Sequence, residues 1–292
     1  MLAKNELMIM KPTKYKCPFH YIGSKAKLLP QILPILDKPN PDWVIDLFAG
    51  GFSVGANCKC KKVICNDKNA QLVELIEWLY QGNKEEVLQK IEGEIENRGL
   101  SKTNADSYRK LRNDYNKHPT PDLLYLLICF SFNHQIRYNQ SGLFNTPFGK
   151  NRSSYNLETR QALSHFIDLI QEKDIVFSSS DFTSVTTPAG KGVVFADPPY
   201  LISVGSYNDG NRGVVSWDEN DEKMLYDYLE ELDKNGVNFV LTNFLTSGGR
   251  VNHMLQNFSS KFIITKLDSN YLNSNYHKKI EAQQEVLVRN FK

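Results

Sequence analysis

Asp197, Pro198, Pro199 and Tyr200 come directly after the apolar run Val193–Ala196. A carboxylate, two prolines and a phenol ring therefore stand where a buried strand ends. A strand interior has no use for two prolines, since each lacks an N–H and fixes φ. The stretch VVFADPPYL reads as a strand that stops in order to present Asp197 and Tyr200 at its end. The chemistry it suits is activation of an amine on an aromatic base, a poor nucleophile because its lone pair is delocalised into the ring. Two acceptors on the amine hydrogens favour the pyramidal, more nucleophilic nitrogen. Asp197 can supply one from its carboxylate, and Pro198 the other from its main-chain carbonyl. Tyr200 can stack on a base withdrawn from its duplex.

A second constellation is DLFAGGFSVG, Asp46–Gly55. A short apolar run, Trp43–Phe48, enters glycines and then a helical pattern, which lets a backbone approach a ligand at a helix start. Asp67, in NDKN, lies 21 residues beyond Asp46, where a carboxylate can hold ribose hydroxyls. The pattern is not G-x-G-x-x-G, and an acid at position 46 would repel a pyrophosphate. It suits a cationic nucleoside ligand, and S-adenosylmethionine is one: ribose, adenine, a sulfonium and an α-amino group, without phosphate. Upstream, YIGSKAKLLP places Gly23, Ser24 and Lys25 ahead of an apolar helix, with Lys25 available to the methionine carboxylate.

These motifs need a scaffold. Short apolar runs at 63–65, 175–177, 193–196, 237–242, 262–266 and 285–288 read as strands alongside Trp43–Phe48. Helical periodicity at 70–80, 159–172, 219–234 and 248–258 falls between them. The alternation implies a doubly wound α/β sheet. Residues 83–158 break it: helical at first, then the apolar 122–130 segment, then Asn133–Tyr155, rich in Asn, Gly, Ser, Arg and aromatics. We read 83–158 as an inserted subdomain with a long recognition loop, and 1–82 with 159–292 as the catalytic domain.

Net charge is only +2, but residues 1–30 and 101–160 each carry +5, so the rest sums to −8. Two basic segments on an acidic body fit local contact with phosphates. No apolar stretch is long enough to span a bilayer and no secretory leader is evident, so a cytoplasmic protein without membrane contact is expected. Cys58, Cys60 and Cys65 lack the spacing and histidines of a zinc site, and no metal is expected.

Taken together, DLFAGG, YIGSK, FNHQIRYNQSGLFNTPFGK and DPPY resemble the Dam-type (alpha group, D12 class) site-specific DNA adenine-N6 methyltransferases, over roughly residues 18–290. The resemblance implies a Rossmann-like methyltransferase sheet with an inserted helical DNA-recognition subdomain and a β-hairpin loop. It implies S-adenosyl-L-methionine as methyl donor, S-adenosyl-L-homocysteine as product, and a flipped adenine in double-stranded DNA as acceptor. Tyr21, Gly23, Lys25, Asp46, Phe48, Gly50 and Asp67 match cofactor-binding positions. Asp181 and Phe182 match residues at the cofactor adenine, and Asp197, Pro198 and Tyr200 match the catalytic motif, Asp197 also bordering the cofactor. Phe132 and Asn133 match residues that fill or flank the space left by the flipped base. Arg137 matches a guanine-reading arginine and Pro147 a residue near a thymine methyl. Gln135, Asn139, Lys150 and Arg152 complete the DNA-contacting set. His20 and Asn151 depart from the pattern, and GATC is the target expected first. The enzyme is expected as a monomer or weak dimer on DNA, either an orphan or partnered by a restriction endonuclease.

Three other readings stay open at this level. An RNA methyltransferase can share the catalytic turn, although the loop at 133–155 suits a duplex groove better. A nicotinamide-dependent oxidoreductase could use the Asp46–Asp67 unit, but the phosphate-friendly glycine loop is missing. A non-catalytic DNA-binding module has no use for a complete cofactor pocket.

Overall fold

The computed structural model describes residue 18 and residues 23–202, 217–268 and 283–292; Tyr21 and His20 lie outside the described residues. In chain order the elements begin with α1 (Leu29–Leu36), β1 (Trp43–Asp46), α2 (Ser53–Asn57), β2 (Lys62–Asn66) and α3 (Ala70–Gln81). Three helices come next without intervening strands: α4 (Lys84–Arg98), α5 (Ala105–Lys117) and α6 (Pro121–Phe130). Alternation resumes with α7 (Leu157–Gln171), β3 (Asp174–Ser178), β4 (Gly192–Ala196), α8 (Glu219–Lys234) and β5 (Asn238–Ser247). It ends with β6 (Arg250–Val251), α9 (His253–Ser259), β7 (Ile263–Lys266) and β8 (Gln284–Arg289).

The strands form one sheet in the order β3-β2-β1-β4-β5-β8-β7, with β6 paired to β5. From β3 to β5 the pairing is parallel; β8 runs antiparallel to both β5 and β7. The mixed α/β class and the central, mostly parallel sheet are those the alternation predicts, and they are consistent with a methyltransferase fold. Strand residues divide between two cores as the period of two requires. Val44, Val63, Cys65, Val193, Phe195 and Val240 face one, beneath α1, α3 and α7. Trp43, Ile45, Ile64, Val194, Ala196 and Leu241 face the other, with the apolar stripes of α8 and α9. Burial on both faces is why these strands read as unbroken apolar runs.

Helices α4–α6 add a layer on the first face. α6 packs on α3 and α5, and Leu88, Ile91, Leu111 and Leu127 join the same core as Val44 and Val63. One expected helix is corrected: 248–258 is a turn, the short strand β6 and then α9. Gly248 and Gly249 both take positive φ (57° and 73°), which a helix does not allow.

Candidate active site

Strand β4 ends at Ala196, and the next side chain, Asp197, is a hub. Its Oδ1 accepts a hydrogen bond from the Thr242 hydroxyl at 2.7 Å and pairs with Lys25 Nζ at 2.8 Å. The Tyr200 hydroxyl lies 3.0 Å from the same oxygen and 2.8 Å from Glu285 Oε1, with one proton to donate to the two. Lys25 also approaches Glu285 Oε1 at 3.6 Å and donates to the Gly23 carbonyl at 3.0 Å. Among the described residues all these donors converge on Oδ1, and none occupies Oδ2 or the Pro198 carbonyl.

Tyr200 is buried. Its ring meets Phe244 edge-on at 4.7 Å, and the Lys25 ammonium lies over it at 4.9 Å. Burial, reinforced by the charges of Asp197 and Glu285, pushes its phenol well above the ordinary range. The structure thus brings Lys25 beside Asp197 and over Tyr200, whereas the sequence offers it to a ligand carboxylate.

The glycine turn is braced by the two acids the sequence singles out. Asp46 Oδ2 accepts from the Gly55 N–H at 2.8 Å, and Asp67 Oδ2 from the Gly50 N–H at 2.7 Å. Asp67 Oδ1 also accepts from the Asn69 N–H. Gly50 has φ 48° and Phe52 φ 57°, so the chain turns through the left-handed region before α2. A Cβ on Gly55 would stand 2.2 Å from the Phe52 ring, so any side chain there must displace that ring. Asp46 is almost fully buried. Burial pushes its carboxyl up to about 7; the Gly55 N–H opposes this, and the negative charges of Asp197 and Asp67 add to it. Asp46 and Asp197 are therefore within electrostatic reach of each other.

Phe48 and Phe182 come together at 5.4 Å, and Trp217 closes an aromatic corner at 5.6 Å from the first and 5.8 Å from the second. Asp181 caps its turn through both Thr183 donors and pairs with Lys68 at 3.5 Å; the Thr183 hydrogen bond leads in holding its carboxyl low.

The remaining site residues form a separate group on the loop after α6. Bridges Ser131–Phe148 and Tyr138–Phe144 fold that loop back on itself. α5 anchors it: Tyr108 OH donates to the Thr146 carbonyl, and Asn116 bonds the Phe144 N–H and C=O. Ile136 and Tyr138 point inward, so Gln135, Arg137 and Asn139 alternate outward, partly exposed. Asn139 spends its side-chain oxygen on the Ser141 and Leu143 N–H groups at the tip. Phe132, Asn133, Pro147, Lys150 and Arg152 are exposed, with the Arg152 guanidinium 5.7 Å from the Phe132 ring. Asn133 and His134 have φ 54° and 55°, an uncommon conformation that keeps Phe132 outside.

A family model for the D12 class of N6 adenine-specific DNA methyltransferases matches residues 21–286. The chain belongs to that family. Among curated relatives, the modification methylase StsI of Streptococcus sanguinis is 39% identical over 98% of this chain and 45% of its own length. The type II methyltransferase M.FokI of Planomicrobium okeanokoites is 41% identical over 94% of this chain and 43% of its own. A DNA adenine methylase of Salmonella typhi is 27% identical over 78% of this chain and 80% of its own. The chain thus spans less than half the length of the first two.

Sequence reasoning did not find Thr242, Phe244, Glu285, Trp217 or Glu222. Glu285 left a signal, an acid opening the apolar EVLV of a buried strand; Thr242 left none, because its partner Asp197 is distant in sequence, as are the Phe48 and Phe182 rings that Trp217 meets. Among the described residues, Cys58, Cys60 and Cys65 are buried free thiols. The carbonyls of Cys58 and Cys60 accept from buried Lys173 at 2.7 and 2.9 Å. No helix of the described residues is long and apolar enough to cross a membrane.

Proposed function

We propose that this D12-class chain transfers a methyl group from S-adenosylmethionine to N6 of an adenine flipped out of double-stranded DNA. The observation that carries the reading is the one-sided anchoring of Asp197. Lys25, Tyr200 and Thr242 hold Oδ1, so Oδ2 and the Pro198 carbonyl are the acceptors left for the two N6 hydrogens. With both N–H bonds directed into the strand end, the nitrogen lone pair turns away from ring conjugation toward the electrophile. Holding the base and donor in line supplies much of the acceleration, of order 7–11 kcal/mol in favourable systems.

The residues present fit S-adenosylmethionine. Acids, not basic groups, line the glycine turn, and buried Asp46 gains from a positive neighbour. Phe48 and Phe182 are the apolar partners proposed for the adenine, and Asp67 the acid proposed for the ribose hydroxyls. When bound, the cofactor supplies a methyl group on a sulfonium. Tyr21 and Gly23 belong to the same proposed site.

In this reading residues 83–158 form the target-recognition subdomain. Arg137, Gln135, Asn139 and Pro147 face base edges, Lys150 and Arg152 meet phosphates, and Phe132 with Asn133 replace the flipped base. Greater identity to modification methylases than to the DNA adenine methylase supports a restriction–modification role, with a cognate endonuclease as partner in the cytoplasm. The enzyme acts as a monomer or weak dimer on DNA. Sequencing DNA from cells that express the chain, with N6-methyladenine detection, reads out base, strand and motif together. Methylation confined to GATC fixes that target; a different recurrent motif keeps the chemistry and replaces the target; absence of N6-methyladenine overturns the proposal.

A further inference from the structure

Glu222 sits in the first turn of α8, wholly buried, and no step of the proposed reaction uses it. Four neutral donors converge on its carboxylate. Trp217 Nε1 donates to Oε2 at 2.5 Å, and Oε1 receives Asn243 Nδ2 at 2.9 Å, Asn252 Nδ2 at 3.0 Å and the Tyr226 hydroxyl. A buried carboxylate is costly unless its oxygens are satisfied, and the start of a 16-residue helix favours its negative charge. The arrangement is saturated, so its use is to fix what it binds.

What it binds lies on both halves of the site. Trp217 is the side chain that closes the Phe48–Phe182 corner. Asn243 is the middle residue of Thr242-Asn243-Phe244 on β5. On the opposite face of that strand, Thr242 donates to Asp197 and Phe244 meets the Tyr200 ring. One carboxylate therefore ties the aromatic corner to the strand that carries the partners of the catalytic motif.

We infer that Glu222 is a positioning residue: through Trp217 it sets the aromatic wall against which the adenine of the cofactor binds, in register with Asp197. The inference rests on the proposed placement of the cofactor at Phe48 and Phe182. Loss of the Trp217 tether frees the indole from the corner and weakens binding of S-adenosylhomocysteine, while the loop after α6 keeps its hold on DNA.

The test is calorimetric titration of the full chain with S-adenosylhomocysteine, alongside duplex-DNA binding and thermal melts. E222Q keeps the volume but sets an NH2 against donors. The inference expects affinity to fall about tenfold or more, as when a hydrogen bond to a charged group fails, with DNA affinity unchanged. W217F removes the N–H together with the five-membered ring, so its loss overlaps with that of E222Q: the double variant loses less affinity than the two single variants added together, a coupling that independent roles would not produce in ligand affinity. If E222Q does not fold, W217A carries the test, with the same loss of affinity expected. Parental affinity in a folded E222Q or W217A chain overturns the inference and leaves the cofactor site intact. Failure of the unaltered, cooperatively melting chain to bind S-adenosylhomocysteine overturns the cofactor placement and the inference with it.

Discussion

Lys25 Nζ lies 2.8 Å from Asp197 Oδ1, an ion pair whose lysine side chain is only 5% exposed. It joins the first motif of the chain to the last. With the hydroxyls of Tyr200 and Thr242 on the same oxygen, it gives the carboxylate two unlike oxygens: Oδ1 takes all three donors, and none of the described residues bonds Oδ2. A lone carboxylate at a strand end would rotate; this one is held.

That asymmetry predicts the outcome of Asp197→Asn. Three donors on one side keep the amide oxygen there and turn the NH2 toward the base, a donor where an acceptor is needed. Methyl transfer should fall by roughly 10²–10³ or more, in line with the loss of one transition-state hydrogen bond. S-adenosylhomocysteine affinity should remain. Single-turnover kinetics and calorimetry on the same preparation check this, and near-parental turnover would show that Oδ2 is not the acceptor.

The pH dependence of cofactor binding should track Asp46. Its carboxyl is pushed up to about 7, chiefly by burial, and a positive ligand favours the ionised form. Affinity for S-adenosylmethionine should therefore rise as pH increases toward about 7 and level off above it, by at most about tenfold per pH unit. For the free chain the sign is opposite. Between about 4 and about 7 the folded state binds the proton more tightly than the unfolded state, so this group's contribution to stability falls as pH rises through that window. Titrations from about pH 5.5 to 8.5, with D46N as the flat control, measure the first effect.

Gly55→Ala should cost about 1–3 kcal/mol, the usual cost of overpacking. The added methyl meets the ring of Phe52, which is fully buried in a left-handed conformation and has nowhere to retreat. Urea unfolding should show a lower midpoint at unchanged slope, and cofactor affinity should drop with it.

On DNA, two substitutions should behave differently. Arg137→Ala should lose about 1–3 kcal/mol of discrimination at one G·C pair. Arg152→Ala should weaken all sequences alike and lower the salt slope by about 0.9. Competition binding against single-base variants at several salt concentrations separates the two patterns.

The end of strand β4 at Asp197–Tyr200 and the sheet are legible because both are local. Double prolines end a strand wherever they occur, and parallel strands buried on both faces stay apolar throughout. The glycine turn is legible in part for the same reason, since Gly50 takes a positive φ and Gly55 sits against the ring of Phe52, three residues before it. What stayed hidden depends on register between distant strands. Thr242 reaches Asp197 because β5 pairs beside β4, and Glu285 arrives from β8 near the end of the chain. Lys25 reads as a contact for a ligand carboxylate until the fold brings Asp197 beside it. The turn at Gly248–Gly249 escaped because the apolar spacing around it imitates a helix.

Methyl transfer to adenine N6 in duplex DNA is measured by incubating the purified chain with methyl-labelled S-adenosylmethionine and either duplex DNA or ribosomal RNA, then hydrolysing the products to nucleosides. Label is expected in N6-methyldeoxyadenosine from duplex DNA, and is lost in the Asp197→Ala chain. Label only in RNA, or on another base, would contradict it.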